Sequence, residues 1–332
     1  MDNLFWINFL GIIFNVAKMG YSMNRKGEIT TQQIVLLIIL LVSFVVILFL
    51  LFRLSPGKET AAEVCHNSVI MKGTPGVPAD STVLKCSREY LCLSYDGSCD
   101  KMTKPQIEKV KTKEEIFSVL ATEMVNCWWM FGEGKVDYIG KDFFLRDNYC
   151  SVCSQIAFDD SLNKIQGLNN ELSKDELYDY LATTKMPDKE INYAEYLFGT
   201  NDINRLKSEA LKGEDESQIT ASTFGKINLE KQQFLMMGIT SEVTGRGWKI
   251  AVGGVAAVVG LFIPGAGWTW AGAIVGALIV GAGEFTSGMT PEIAAIIVEG
   301  QGVKNKFMAP TIQEANSETL EKLNCYDIVT AA

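Results

Sequence analysis

The chain has 332 residues, room for one large domain or two ordinary ones, and 48% of them are apolar, a high share for a protein wholly surrounded by water. The formal net charge is −9; residues 1–53 hold four basic and two acidic side chains, which leaves 26 basic against 37 acidic beyond them, a net charge of −11. Such a surface repels phosphate backbones and argues against nucleic acid as a partner, and a single histidine, His66, leaves little room for histidine-based catalysis.

In chain order, residues 4–17 (LFWINFLGIIFNVA) are apolar but short for a bilayer and interrupted by Asn8. They read as an interfacial helix or as an over-extended gene start, with Met23 rather than Met1 as initiator. From Ile34 to Phe52 only Ser43 is polar in nineteen residues. As a helix that run spans roughly 28 Å, close to a hydrocarbon core, so 34–53 is expected to be a transmembrane anchor. Lys18, Arg25 and Lys26 precede it, whereas Arg53 and Lys58 follow it beside Glu59, which predicts residues 1–33 inside and the bulk of the chain outside.

The stretch MNRKGEITTQQIVLLIILLVSFVVILFLLF, starting at Met23, resembles the class III (type IV prepilin-like) signals of archaeal surface proteins: Arg25-Lys26-Gly27, a short polar stretch, then a long apolar helix. In that family a membrane peptidase cuts after the glycine, which makes Gly27 the implied cleavage site, and the apolar helix anchors the protein or packs into a filament core. The chain departs from the pattern at Glu28 and at Gln32, where a glutamate is usual. An uncleaved anchor is therefore the expectation, with a processed pilin-like subunit and ordinary signal-peptidase cleavage as alternatives.

Residues 54–85 carry Pro56, Pro75 and Pro78 with several glycines and read as a stalk, with His66 in it and without special role. Cys65, Cys86, Cys92, Cys99, Cys127, Cys150 and Cys153 crowd into the part after the apolar helix, Cys325 lies near the C-terminus, and none precedes the helix. An even number in one outer compartment reads as four disulfides with Cys325 bonded into the 65–153 group; eight cysteines allow about a hundred pairings, which stay open. Cys150-x-x-Cys153 also has the spacing of a redox or zinc pair, but no strand-to-helix context or second pair accompanies it, so structural disulfides are expected. Tyr95-Asp96-Gly97-Ser98 is a plausible turn. Helical spacing is read from Lys104 to Trp129, on Ile107, Val110, Ile116, Val119, Leu120 and Met124. Trp128-Trp129-Met130-Phe131 reads as core packing rather than an aromatic platform, and Gly132-x-Gly134 is too short a match to a phosphate loop to count. The residues from Phe131 to Cys153 alternate enough to predict strands closing on Cys150 and Cys153. The domain 86–160 is thus Cys-rich.

Residues 161–245 are expected to be mostly helical α+β, with a capping box at Ser173 and Glu176, an exposed loop over 212–222, and a strand over Phe234–Ile239. Carboxylate pairs such as Asp159-Asp160 and Asp175-Glu176 read as solvated faces. Ile250 to Gly283 then hold 34 residues without charge and with nine glycines. Glycine costs roughly 1 kcal/mol per helix position in water, whereas in lipid small residues let helices approach closely. Residues 246–287 are therefore expected to form a membrane-embedded helical hairpin bent at Pro264-Gly265-Ala266-Gly267, packed through Gly253, Gly260, Gly272, Gly276 and Gly281. Residues 288–332 complete an α+β segment: Ile293–Val298 as a strand, or a helix started at Thr290-Pro291-Glu292, then a short helix over Ser317–Leu323 delivering Cys325.

The expected whole is a membrane-anchored, disulfide-stapled α+β ectodomain with one N-terminal transmembrane helix and a second, glycine-rich hairpin. Its expected role is a cell-surface structural or interaction protein, not an enzyme, without cofactor or metal. Its expected partners are the lipid bilayer and itself or another membrane protein. A membrane-perturbing or pore-forming protein inserting the 250–283 hairpin is the alternative, and a pilin-like filament subunit the third reading.

Overall fold

A computed structural model describes residues 31–53, 60–77, 83–139, 148–187, 189–204, 224–240, 251–252, 255–256, 274–280, 293–323, 325 and 327–330. The chain divides into two units, Met1–Glu59 and Thr60–Ala332. Gly27 and both candidate initiators lie outside the described residues.

The first unit holds helix α1 (Thr31–Arg53), 23 residues with no acidic group in its first turn. Its side chains are described between Val35 and Ile47, except Val45, and most are exposed: Leu37, Leu40, Val42 and Phe44 each show more than half of their surface. Among the described residues no helix is long and apolar enough to cross a membrane.

The second unit opens with helix α2 (Ala61–Lys72) inside the stretch expected as a stalk. A reciprocal cap starts it: Thr60 Oγ1 accepts from the Glu63 amide at 3.2 Å and the Glu63 carboxylate accepts from the Thr60 amide at 2.8 Å. Cys65 and Val69 are fully buried, and a Cys65–Cys86 disulfide ties the helix down. Prolines at 56, 75 and 78 flank this helix without entering it, which is how a proline-rich stretch comes to hold one.

A mixed sheet forms the centre. Strands β1 (Glu89–Ser94), β2 (Gln106–Lys109) and β3 (Asn148–Phe158) are followed by β4 (Glu171–Ser173) and β5 (Lys226–Asn228), which pair with each other outside it. Strand β6 (Gln233–Thr240) rejoins the sheet. Beyond it lie β7 (Ala251–Val252), β8 (Val255–Ala256), β9 (Ile274–Val280), β10 (Ile293–Glu299), β11 (Lys306–Glu314) and β12 (Asp327–Ile328). The order is β2-β1-β3-β6-β11-β10-β9. The β2, β1 and β3 strands run parallel, and from β3 to β9 each neighbour is antiparallel. On the edge of β3 away from β6, β1 pairs with residues 154–158 and β12 with 149–150, so two strands share one edge.

The segment read as helical from Lys104 divides in two. Ile107 lies in the edge strand β2, and helix α3 (Lys113–Met130) starts only after Thr112, whose hydroxyl accepts from the Glu115 amide at 3.1 Å. Ile116, Leu120, Met124 and Cys127 form a buried stripe at helical spacing that packs across β6 and β11. Helices α4 (Lys174–Thr183) and α5 (Tyr193–Phe198) pack beside it, and α6 (Ser317–Lys322) leads to Cys325 as expected. Ser173 does sit at the α4 N-cap position, but its side chain makes no cap bond. Ser173 ends β4, the Lys174 amide donates to the Gly225 carbonyl instead, and Glu176 pairs with Lys113.

Alternate residues of a strand face opposite sides, so near-continuous burial along β3, β6 and β11 requires cover on both. Tyr149, Ile156, Leu235, Met237, Ile239 and Phe307 join the large cluster under the helices. Cys150, Val152, Met236 and Met308 are buried outside that cluster. The expected strand over Phe234–Ile239 is present, and Ile293–Val298, read as strand or helix, is strand.

The described parts of the uncharged stretch are strand rather than helix. Short β7 and β8 form an antiparallel pair, and β9 pairs with β10, setting Gly276 opposite Ile297. The physical reason is local: Ile274, Val275, Ile279 and Val280 are β-branched, and glycine lowers helix stability while the Ile/Val-rich β10 offers a ladder. Gly253, Gly260, Pro264, Gly265, Gly267, Gly272 and Gly281 lie outside the described residues.

Four disulfides close the second unit: Cys65–Cys86, Cys92–Cys99, Cys127–Cys153 and Cys150–Cys325. Cys325 joins the 65–153 group as expected. Cross-linking stabilises by restricting the unfolded chain, and more so for longer loops. Cys150–Cys325 spans 175 residues and Cys92–Cys99 only 7. Replacing Cys150 and Cys325 together with serine is expected to cost about 4–5 kcal/mol, and Cys92 with Cys99 roughly 2–3 kcal/mol. Denaturant unfolding of the oxidised variants measures both; equal losses would contradict the loop-length argument.

Candidate functional site

The sheet brings the cysteines together but keeps Cys150 and Cys153 apart. Register between β3 and β6 shifts between Val152 and Ser154, leaving Cys153 as an extra residue with no counterpart on β6. Such a bulge re-aims a side chain. Cys153 meets Cys127 of α3, and Cys150 meets Cys325. The C-x-x-C spacing therefore carries no redox pair, because these residues sit in a strand rather than on a helical turn.

The Cys127–Cys153 disulfide borders a cleft of about 440 Å³ lined by Thr60, Glu63, Glu89, Gln106, Glu123, Asn126 and Trp129. Each element supplies what its geometry dictates. The reciprocal cap of α2 holds Glu63, the first residue of β1 is Glu89, and the first of β2 is Gln106. Glu123 and Asn126 project from α3 beside its buried stripe.

Trp129 forms one wall. The indole, half-buried, stacks on His66 with ring centroids 4.1 Å apart and planes 8° from parallel. His66 Nδ1 donates to the Trp129 carbonyl at 2.6 Å, which leaves Nε2 as the acceptor in the neutral ring. His66, expected to be a stalk residue without a role, thus fastens α2 to the end of α3. Trp128 and Phe131 are core residues, as expected. The Gly132-Glu133-Gly134 turn has positive φ throughout and makes no phosphate loop. A Cβ on Gly134 would approach the Trp128 ring to 3.1 Å, and the Glu133 carboxylate is engaged by Lys135 and Tyr196.

The electrostatics centre on Glu123. Burial pushes its carboxyl up to about 7, with the negative charges of Glu89 and Glu108 adding to the rise; the Ser154 hydroxyl, donating at 3.3 Å, opposes it. Burial also raises Glu89. The cleft combines a carboxyl that exchanges its proton near neutrality with further carboxylates and an aromatic wall, a setting suited to a cationic group. It offers no nucleophile, since both neighbouring cysteines are bonded, and among the described residues no group of His, Cys, Asp and Glu could hold a metal ion. Other carboxylates read as solvated faces are partly structural: Asp159 caps a short 3₁₀ turn, and Asp175, buried, accepts from the Phe224 amide at 3.1 Å.

Sequence reasoning missed Glu89 and Glu123. A signal existed for the second: it lies three residues after Leu120 and four before Cys127, at the margin of the apolar stripe. No signal in the sequence placed Glu89 beside it. Comparisons with protein-family models, with curated proteins and with solved structures find no match for this chain.

Because the folded state binds the Glu123 proton more tightly than the unfolded chain does, its contribution is complete below about pH 4.5 and falls as pH rises from there to about 7. The upper limit is about 3 kcal/mol between pH 4.5 and 7. Glu123→Gln removes the charge, so it is expected to raise Tm at pH 8 and to narrow the difference between pH 5 and pH 8. An unchanged pH profile in calorimetry of the variant would remove Glu123 as its source.

Proposed function

We propose that this chain is a membrane-anchored cell-surface protein of structural or interaction type, held by α1 with residues 1–33 inside and Gly27 retained, and working through the unit that begins at Thr60. The observation that carries this reading is the complete pairing of the eight cysteines in four disulfides, none of them before α1. Disulfides persist in oxidising, extracytoplasmic compartments and are rare in the cytosol. The sequence supports it further: from Ile34 to Phe52 only Ser43 is polar, an apolar run of the length an anchor needs.

In this reading the second unit is a rigid head whose stability rests on cross-links as well as on its core. The acidic cleft beside Trp129 is its contact surface, taking a cationic side chain of a neighbouring copy or of another membrane protein. The net negative surface keeps the head off anionic headgroups and nucleic acid. No catalytic role enters.

A C-terminal epitope tag on the full chain tests orientation: antibody is expected to stain intact cells without permeabilisation, and alkaline carbonate is expected to leave the chain with the membranes. Acid-quenched, denatured protein should take up no alkylating agent before reduction and eight equivalents after it. Staining only after permeabilisation, together with free thiols, would place the cysteines in a reducing compartment and overturn the proposal.

A further inference from the structure

The buried polar side chains between α4 and β11 form a second chemical setting, separate from the cleft. Lys174 is the first residue of α4, yet only 5% of it is exposed, because its side chain runs inward to β11. Its Nζ donates to Gln313 Oε1 at 3.1 Å, and Gln313 is 2% exposed. Gln313 Nε2 in turn donates to Thr311 Oγ1 at 3.0 Å, and the Thr311 hydroxyl bonds to Tyr178, whose phenol burial keeps protonated.

An ammonium held this deep needs a carboxylate or it loses its proton. Of the two nearest in sequence, Asp175 accepts from the Phe224 amide and Glu314 pairs with Lys231 at 2.7 Å. Burial lowers the Lys174 amine to about 8, so a substantial neutral fraction exists at mildly alkaline pH. The neutral amine is a nucleophile, and the carboxamide it touches carries an electrophilic carbon about 1.2 Å behind that oxygen.

We propose that Lys174 and Gln313 condense into an intramolecular isopeptide cross-link between Nζ and Cδ, with release of ammonia. The Nζ lone pair attacks Cδ, and the carbonyl electrons move onto Oε1. Collapse of that adduct breaks the Cδ–Nε2 bond. The proton given up by the attacking nitrogen passes to the departing one, so that ammonia leaves neutral. One amide replaces another, nothing is oxidised or reduced, and no further reactant is needed. Fixed placement in a buried site makes the step effectively unimolecular and keeps out the water that would drive hydrolysis. The link joins the start of α4 to the middle of the molecule's central sheet, and unlike the four disulfides it survives reduction. It stands independently of where the protein resides.

Intact mass of the full chain, reduced and denatured, tests it directly. The expected mass is that of the sequence less one ammonia, and a tryptic digest is expected to yield a branched peptide containing both Lys174 and Gln313, uncut after Lys174. Lys174→Arg should restore the full mass. A wild-type chain at full mass, with Lys174 and Gln313 recovered in separate peptides, overturns the proposal. So does an ammonia loss that persists in Lys174→Arg, since cyclisation of an amide side chain or a different cross-link would then account for it.

Discussion

The structure depends on one property of β3: its side chains must leave alternately toward two covered faces. Ten of its eleven residues are buried, it pairs with β6 along one edge and with β1 and β12 along the other, and it supplies two of the eight cysteines. Cys153 fixes α3 against one face, and Cys150 fixes the end of the chain. Residues three apart on an alternating strand point to opposite sides, so Cys150 and Cys153 reach different partners, and the bulge at Cys153 falls where the bond to α3 is made.

That arrangement explains the character of the cleft. The α3 helix cannot rotate about its own axis once Cys127 is bonded, so the residues flanking Cys127 keep fixed directions. Glu123 is held toward Glu89 and Ser154, and Trp129 is held against His66. Like charges brought that near would separate if the elements were free; the cross-link and the buried stripe of α3 oppose this, and the carboxyl answers by keeping its proton. Lys174 is a related case with the opposite charge: a titratable group forced inward by the element that carries it, relieved by a neutral partner rather than by an ion.

Short apolar runs bounded by turn residues were readable from sequence, which is why β6, β10 and the helix before Cys325 lie where pattern alone puts them. The even cysteine number likewise announced four disulfides with Cys325 among them. Four things were not readable. Ile107 and Val110 stand three apart, a spacing that mimics a helix face; Ile107 lies in the short edge strand β2, and only the Thr112 cap marks where α3 begins. The helix α2 is hidden in a segment whose prolines and glycines lie at its flanks. The 250–283 stretch has a composition that suits close-packed helices in lipid and β-branched strands equally well, and pairing with β10, which lies outside the stretch, decides for strand in Ile274–Val280. The cleft was least legible of all, because Glu63, Glu89 and Glu123 come from three elements and meet only in the folded chain.

The bond between Cys150 and Cys325 has a consequence for synthesis. A chain made from its N-terminus presents Cys127, Cys150 and Cys153 long before Cys325, because 175 residues separate Cys150 from its partner. During that interval Cys150 is an unpaired thiol beside two others, Cys127 and Cys153, which belong together in a different bond. Sequential oxidation in order of appearance would join the wrong partners. Correct assembly therefore asks either that the α3–β3 contact form first and claim Cys153, or that an isomerase revisit the early bonds. In the first case the order of bond formation becomes a property of the fold: how quickly α3 docks on the bulged strand sets how many chains reach the right connections.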